Sequence, residues 1–88
     1  MKLNIIACSS EDWVVSKIID LEKVAVIEST YNPNDATELE MITFLLSGGI
    51  ESAFDAGAFT SVVFVLSVDG KIVESRDWRH IQKLILST

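Results

Sequence analysis

Ser9-Ser10-Glu11-Asp12-Trp13-Val14-Val15-Ser16-Lys17-Ile18-Ile19-Asp20-Leu21 joins two apolar, β-prone runs and sets the order of elements around it. Either serine can accept an orphan helix N–H, and Glu11 and Asp12 suit the positive end of a helix dipole. Val14, Ile18 and Leu21 recur at helical spacing, which predicts a helix over roughly Ser10 to Leu21. Before it, Leu3 to Ala7 predicts a buried strand containing Ile5 and Ile6. After it, Val24 to Thr30 is β-branched and apolar, a second strand. A helix between two such strands makes a βαβ unit, and its right-handed crossover places the strands parallel in one sheet.

Further along, Tyr31-Asn32-Pro33-Asn34 is turn chemistry, and Asp35 followed by Glu38 has the spacing of a capping box. Leu39, Met41, Ile42, Phe44, Leu45 and Leu46 make the segment after it apolar over most of a helical circumference, ended by Gly48-Gly49. Ile50 to Ala56 predicts a short further helical turn with Ile50, Ala53 and Phe54 on one face, and Gly57 closes it. Ser61 to Val68 is the most β-prone stretch of the chain, and Asp69-Gly70 signals a two-residue hairpin into Lys71-Ile72-Val73. Asp77 caps a last helix that turns Trp78, Ile81, Leu84 and Ile85 inward. The expected core contains Ile5, Val26, Leu39, Ile42, Leu46, Phe54, Val63, Val65 and Ile81.

The resulting βαβαββα order, and the run Ala56-Gly57-Ala58-Phe59-Thr60-Ser61-Val62-Val63-Phe64-Val65-Leu66-Ser67-Val68-Asp69-Gly70-Lys71, resemble the thioredoxin-like family. The resemblance implies an α/β fold: one four-stranded mixed sheet with helices on both faces, spanning residues 1–88 as a single domain. It covers nearly the whole chain as topology, with sequence support mainly between Phe54 and Val73. The family's chemistry-bearing parts are missing. Glu11-Asp12-Trp13-Val14 stands where its Cys-x-x-Cys belongs, or, on a second alignment, Cys8-Ser9-Ser10-Glu11 does. Val62 occupies the place of its cis-proline, and Glu74-Ser75 stands near that of the glutaredoxin Gly-Gly. A dithiol–disulfide cycle needs two sulfurs, so one molecule of this protein cannot run it.

Composition narrows the classes. The chain has 88 residues, 49% hydrophobic and 23% charged, the balance of one folded domain. A net charge of -6 argues against nucleic-acid binding. One cysteine excludes an internal disulfide and any multi-cysteine metal site, and one histidine leaves metal chemistry to carboxylates almost alone, with no metal-binding residues assigned. No apolar run approaches the roughly 18 residues of a membrane helix, and no signal-peptide pattern opens the chain, so a cytoplasmic protein without membrane contact is expected.

The candidate residues have two readings each. Cys8 is a catalytic candidate, since a helix N-terminus after it would stabilise the thiolate, while Glu11 and Asp12 oppose that; its plainer role is a small buried hydrophobe. Glu11 and Asp12 are read either as paired acid/base carboxylates or as first-turn acids that serve the helix dipole, and they are placed with the binding residues. Trp13 is either an aromatic anchor beside the site or a core residue packing the first helix. Thr60, Ser61 and Val62 correspond in the resemblance to the loop that offers backbone hydrogen bonds to a substrate peptide, and otherwise simply lead into a strand. Arg76, Arg79, His80 and Lys83 cluster on the last helix, whereas residues 28–70 hold acids and no Lys or Arg. This asymmetry is either a solvated face or a polar dock for a partner, including a second copy head-to-tail.

The favoured function is a protein-binding module that keeps a thioredoxin-like scaffold without its thiols and needs no cofactor. The alternative is a single-thiol oxidoreductase in which Cys8 attacks a disulfide or glutathione adduct, with glutathione as cosubstrate. A structural subunit of a larger assembly is the third reading.

Overall fold

Ser9 does use its side chain to satisfy backbone donors, but in a hairpin and not a helix. Its Oγ accepts from the N–H groups of Glu11 (3.2 Å) and Trp13 (3.1 Å), and the chain reverses there. The computed structural model describes residues 1–88. It contains strands β1 (Lys2–Cys8), β2 (Val14–Asp20), β3 (Val24–Asn32), β4 (Asp35–Leu46), β5 (Glu51–Asp55), β6 (Ser61–Val68) and β7 (Lys71–Ser75), then one helix, α1 (Trp78–Leu86). Short 3-10 turns at Leu21–Lys23 and Ala56–Ala58 join the two sheets.

The first sheet has the order β2-β1-β6-β7 and the second β3-β4-β5, with every pairing antiparallel. The thioredoxin-like expectation is therefore corrected: there is no βαβ unit, no mixed sheet and no pair of helical layers. The predicted strand at Leu3–Ala7 is β1, and the one at Val24–Thr30 is β3, but they lie in different sheets.

Two predicted helices are strands, for different physical reasons. In β2 four of seven residues are β-branched valine or isoleucine, whose stiff χ1 favours a pleated surface over a helix. In β4 the residues Asp35–Leu46 include good helix formers, yet Ile42 and Phe44 face inward while Met41 and Leu45 stay exposed, a period of two. An apolar run of this kind fits a buried helix or a central strand equally well; pairing to β3 on one side and β5 on the other decides it. Asp35, expected to cap a helix, accepts instead from Thr37 two residues on, and Glu38 accepts from Asn32 Nδ2. Ile50 to Ala56 likewise forms β5 and a turn.

The Asp69-Gly70 hairpin and α1 stand as predicted. Both turn residues have positive φ, 50° and 76°, as a tight hairpin of this hand requires. Asp77 Oδ1 accepts from the Arg79 N–H at 3.0 Å and caps α1.

The core lies between the two sheets and under α1. Leu3, Ile5 and Ala7 of β1 and Phe64 and Leu66 of β6 come from the first sheet, Ile42, Phe44 and Phe54 from the second, and Trp78 and Ile81 from the helix. Trp78 joins all three: its ring stands edge-on to Phe44 (81°) and lies 5.1 Å from Phe64. Of the expected core, Ile5, Ile42, Phe54 and Ile81 are buried; Leu39, Leu46, Val63 and Val65 are only half-buried; Val26 is 44% exposed. The β6 discrepancy is one of parity, because Phe64 and Leu66 take the inner face and Val63 and Val65 the outer.

Candidate functional site

One end of the first sheet gathers several of the predicted residues. Cys8 closes β1, level with Val14 of β2 and Ser61 of β6. Its carbonyl accepts from Thr60 N (2.9 Å) and from Thr60 Oγ1 (3.1 Å), so the loop before β6 is tied to the end of β1. Trp13 is 70% exposed on the adjoining hairpin, a surface residue, with Glu11 and Asp12 exposed at the tip. These acids therefore serve no helix dipole. Cys8 is half-buried and is followed by a turn, so the helix N-terminus that motivated thiolate stabilisation is not there.

Beside Thr60, Ser61 and Val62 the two sheets part to leave a cleft of about 320 Å³. Leu39, Val62, Phe64 and Trp78 are among its apolar lining residues, but Phe64 and Trp78 are almost wholly buried, so the surface that faces the cleft is more polar than apolar. Arg76 and Arg79, which flank the helix cap, form its rim with Tyr31 and Thr37. Arg76 Nη1 donates to Ser61 Oγ at 2.9 Å. Arg79 Nη2 donates to the Ala36 carbonyl, and its guanidinium lies over the Tyr31 ring, 4.4 Å from the centroid. Each guanidinium has five N–H donors, so both keep donors free for a ligand.

No carboxylate neutralises either arginine. The chain's one ion pair joins the Met1 amino group to Glu22 at 3.4 Å. Asp77 also lines the cleft, but it caps α1. The Tyr31 hydroxyl is buried and has no hydrogen-bond partner. Thr37 is held by Asp35, whose carboxyl is kept below the ordinary aspartate range by hydrogen bonds from the Thr37 hydroxyl (2.6 Å) and N–H (3.0 Å). That turn presents Ala36 to Arg79 and Thr37 to the cleft.

No protein-family model, curated protein or solved structure matches this chain.

The site's chemistry is recognition of negative charge. Two guanidinium groups lining one cleft of mainly polar surface suit a carboxylate or phosphate. The hydroxyls are engaged structurally: Thr60 Oγ1 donates to Cys8, and Ser61 Oγ accepts from Arg76. No group of His, Cys, Asp and Glu side chains is arranged to hold a metal ion. No helix is long and apolar enough to cross a membrane.

The charge asymmetry along the chain pointed to Arg76 and Arg79, but also to His80 and Lys83, which do not line the cleft. Tyr31 and Thr37 carried no signal, because both sit in segments that read as turn and helix cap. Their convergence on the arginines depends on the β3–β4 hairpin, whose sequence fits a turn and a helix equally well.

Proposed function

We propose that this chain is a non-catalytic protein-binding domain whose cleft holds a carboxylate-bearing, partly apolar segment of a partner protein. The observation that carries the reading is that Arg76 and Arg79, without carboxylate partners, line one cleft in a chain of net charge -6. An extended polyanion such as nucleic acid would meet the acidic remainder of the surface, whereas one acidic side chain or chain terminus need only meet the two arginines. Thr60, Ser61 and Val62 belong to this surface, and Trp13 offers an aromatic contact on the hairpin beside it. The function requires no cofactor. Cytoplasmic residence is part of the same proposal, consistent with a single free thiol.

The test is a chemical-shift titration of the labelled protein with a glutamate-containing aromatic peptide and with its glutamine counterpart. Shifts confined to residues 31–37, 60–62 and 76–79, with weakening of roughly tenfold or more for Arg76→Ala or Arg79→Ala, support the reading, since a hydrogen bond to a charged group contributes about 1.5–3 kcal/mol. Equal binding of the glutamine peptide, or unchanged binding by both variants, overturns it.

A further inference from the structure

We infer that two copies of this chain associate through their β2 edges, extending the four-stranded sheet into one of eight strands about a two-fold axis at Ser16. β2 is bonded on one side only, to β1. The bonds Leu21 N to Met1 O (3.1 Å) and Ser9 N to Trp13 O (2.9 Å) fix the phase of the β1–β2 ladder at both ends. Bonded pairs alternate in an antiparallel ladder, so Val15, Lys17 and Ile19 bond to β1, while Val14, Ser16 and Ile18 turn their N–H and C=O groups outward. The side chains agree with an unfinished edge: Val14 and Ile18 are 67% and 69% exposed.

The other edges are less open. β5 has five residues, and Lys17 Nζ, reaching across from β2, covers one of its carbonyls, that of Ala53, at 3.1 Å. The start of β3 lies against the C-terminal part of α1 across a shared apolar groove. β7 is a five-residue strand. Only β2 combines length, free backbone groups and exposed β-branched side chains beside an exposed tryptophan.

The register follows from side-chain complementarity. With Ser16 opposite the second copy's Ser16, Val14 meets the second copy's Ile18 twice over on the solvent face, and Lys17 meets the second copy's Val15. No like charges are directly opposite within residues 14–18. Centring the axis one residue later sets Lys17 against itself, which cross-strand pairing disfavours. The surface is self-complementary, as a closed two-fold interface requires. The arginine cleft takes no part, and Trp13 is the one residue the two readings share, so variants at Ser16 and Ile18 test this inference without touching the arginines of the binding proposal.

The register predicts a specific cross-link. Residues opposite each other in a bonded pair have Cα atoms about 5.5 Å apart, within disulfide reach. In a Cys8→Ser background, Ser16→Cys should form a covalent dimer on mild oxidation, whereas Ile18→Cys should not. Sedimentation of the native chain should show a dimer that dissociates on concentration-dependent dilution. Ser16→Pro, which removes an outward N–H without taking a bond from the β1 ladder, and Ile18→Lys should both be monomeric with unchanged circular dichroism. If the proline unfolds the chain, Ile18→Lys carries the test, because that side chain is exposed. A native chain that stays monomeric up to about 1 mM, where association is worth only ~4 kcal/mol, overturns the inference. So does a dimer that persists in Ile18→Lys, or one cross-linked through Ile18→Cys and not Ser16→Cys.

Discussion

Asp12 and Gly49 occupy the same place in two hairpin loops of the same construction. In each, the residue's N–H donates to the carbonyl three positions back, Ser9 at 3.2 Å and Leu46 at 2.9 Å, and the next residue resumes the ladder. Both have the positive φ that this type of three-residue loop demands, 64° at Asp12 and 83° at Gly49. Glycine adopts it freely; a side chain costs about 1–2 kcal/mol, somewhat less for Asp.

The first prediction exchanges these two choices. Asp12→Gly should stabilise the protein by about 0.5–1 kcal/mol in urea unfolding, and Asp12→Val should destabilise it, because a β-branched residue fits this region worst. Gly49→Ala should also lose stability: a Cβ there meets no atom within 4 Å, so the loss would come from backbone strain alone. Equal stability of the native chain and Asp12→Gly would show that Asp12 is not strained.

A second prediction concerns Trp78, whose Nε1 donates to Ser29 Oγ at 2.7 Å across the interface between α1 and the second sheet. Ser29→Ala leaves that indole N–H without its partner in the core and should cost about 1–3 kcal/mol. In a Trp78→Phe background the same change should cost much less, since no donor remains to be orphaned. A double-mutant cycle with no coupling would remove this hydrogen bond from the account of how helix and sheet are joined.

How much could be read beforehand follows from residues of these two kinds. Asp69-Gly70 and the Asp77 cap were legible because local chemistry specifies them: φ > 0 in one, an orphan N–H in the other. Ser9 and Asp35 are ambiguous in sequence, because a side-chain oxygen that accepts from the backbone two residues on serves a turn as well as it serves a helix start. Val14, Ile18 and Leu21 match a helical spacing, but Val15 and Ile19 between them are equally apolar, and β-branching was the stronger signal. The cleft was half legible. Arg76 and Arg79 stand out by charge, while Tyr31 and Leu39 come together only through the β3–β4 hairpin, in a segment whose residues also fit a turn followed by a helix.

The third prediction follows from the hydrogen bonds at Asp35. Thr37 stabilises the ionised carboxylate by its hydroxyl and its N–H, so the folded-state pKa lies below the unfolded one. Its contribution to stability is present above the unfolded-state value and is lost as pH falls through the folded-state value. Carboxyl NMR should show Asp35 titrating below an ordinary aspartate. Thr37→Val should raise that midpoint and reduce the loss of stability on acidification; an unmoved midpoint would mean the hydroxyl does not act on Asp35.

The last prediction separates folding from binding at Tyr31. Its hydroxyl is buried at the cleft without a hydrogen-bond partner, a state that costs about 1–3 kcal/mol for a polar group. The ring has a separate role, because Arg79 lies over its face, and a phenyl ring keeps that contact. Tyr31→Phe should therefore leave stability unchanged or raise it by up to about 1 kcal/mol, with the cleft's shape preserved. Tyr31→Ala should lose stability and free Arg79 from its stacked position. If the hydroxyl is a donor held for a ligand's carboxylate, Tyr31→Phe should weaken binding of the glutamate peptide several-fold while the protein becomes no less stable. A variant that is less stable would show that the hydroxyl has a partner within the fold. One that binds as tightly as the native chain would leave recognition to the two arginines alone.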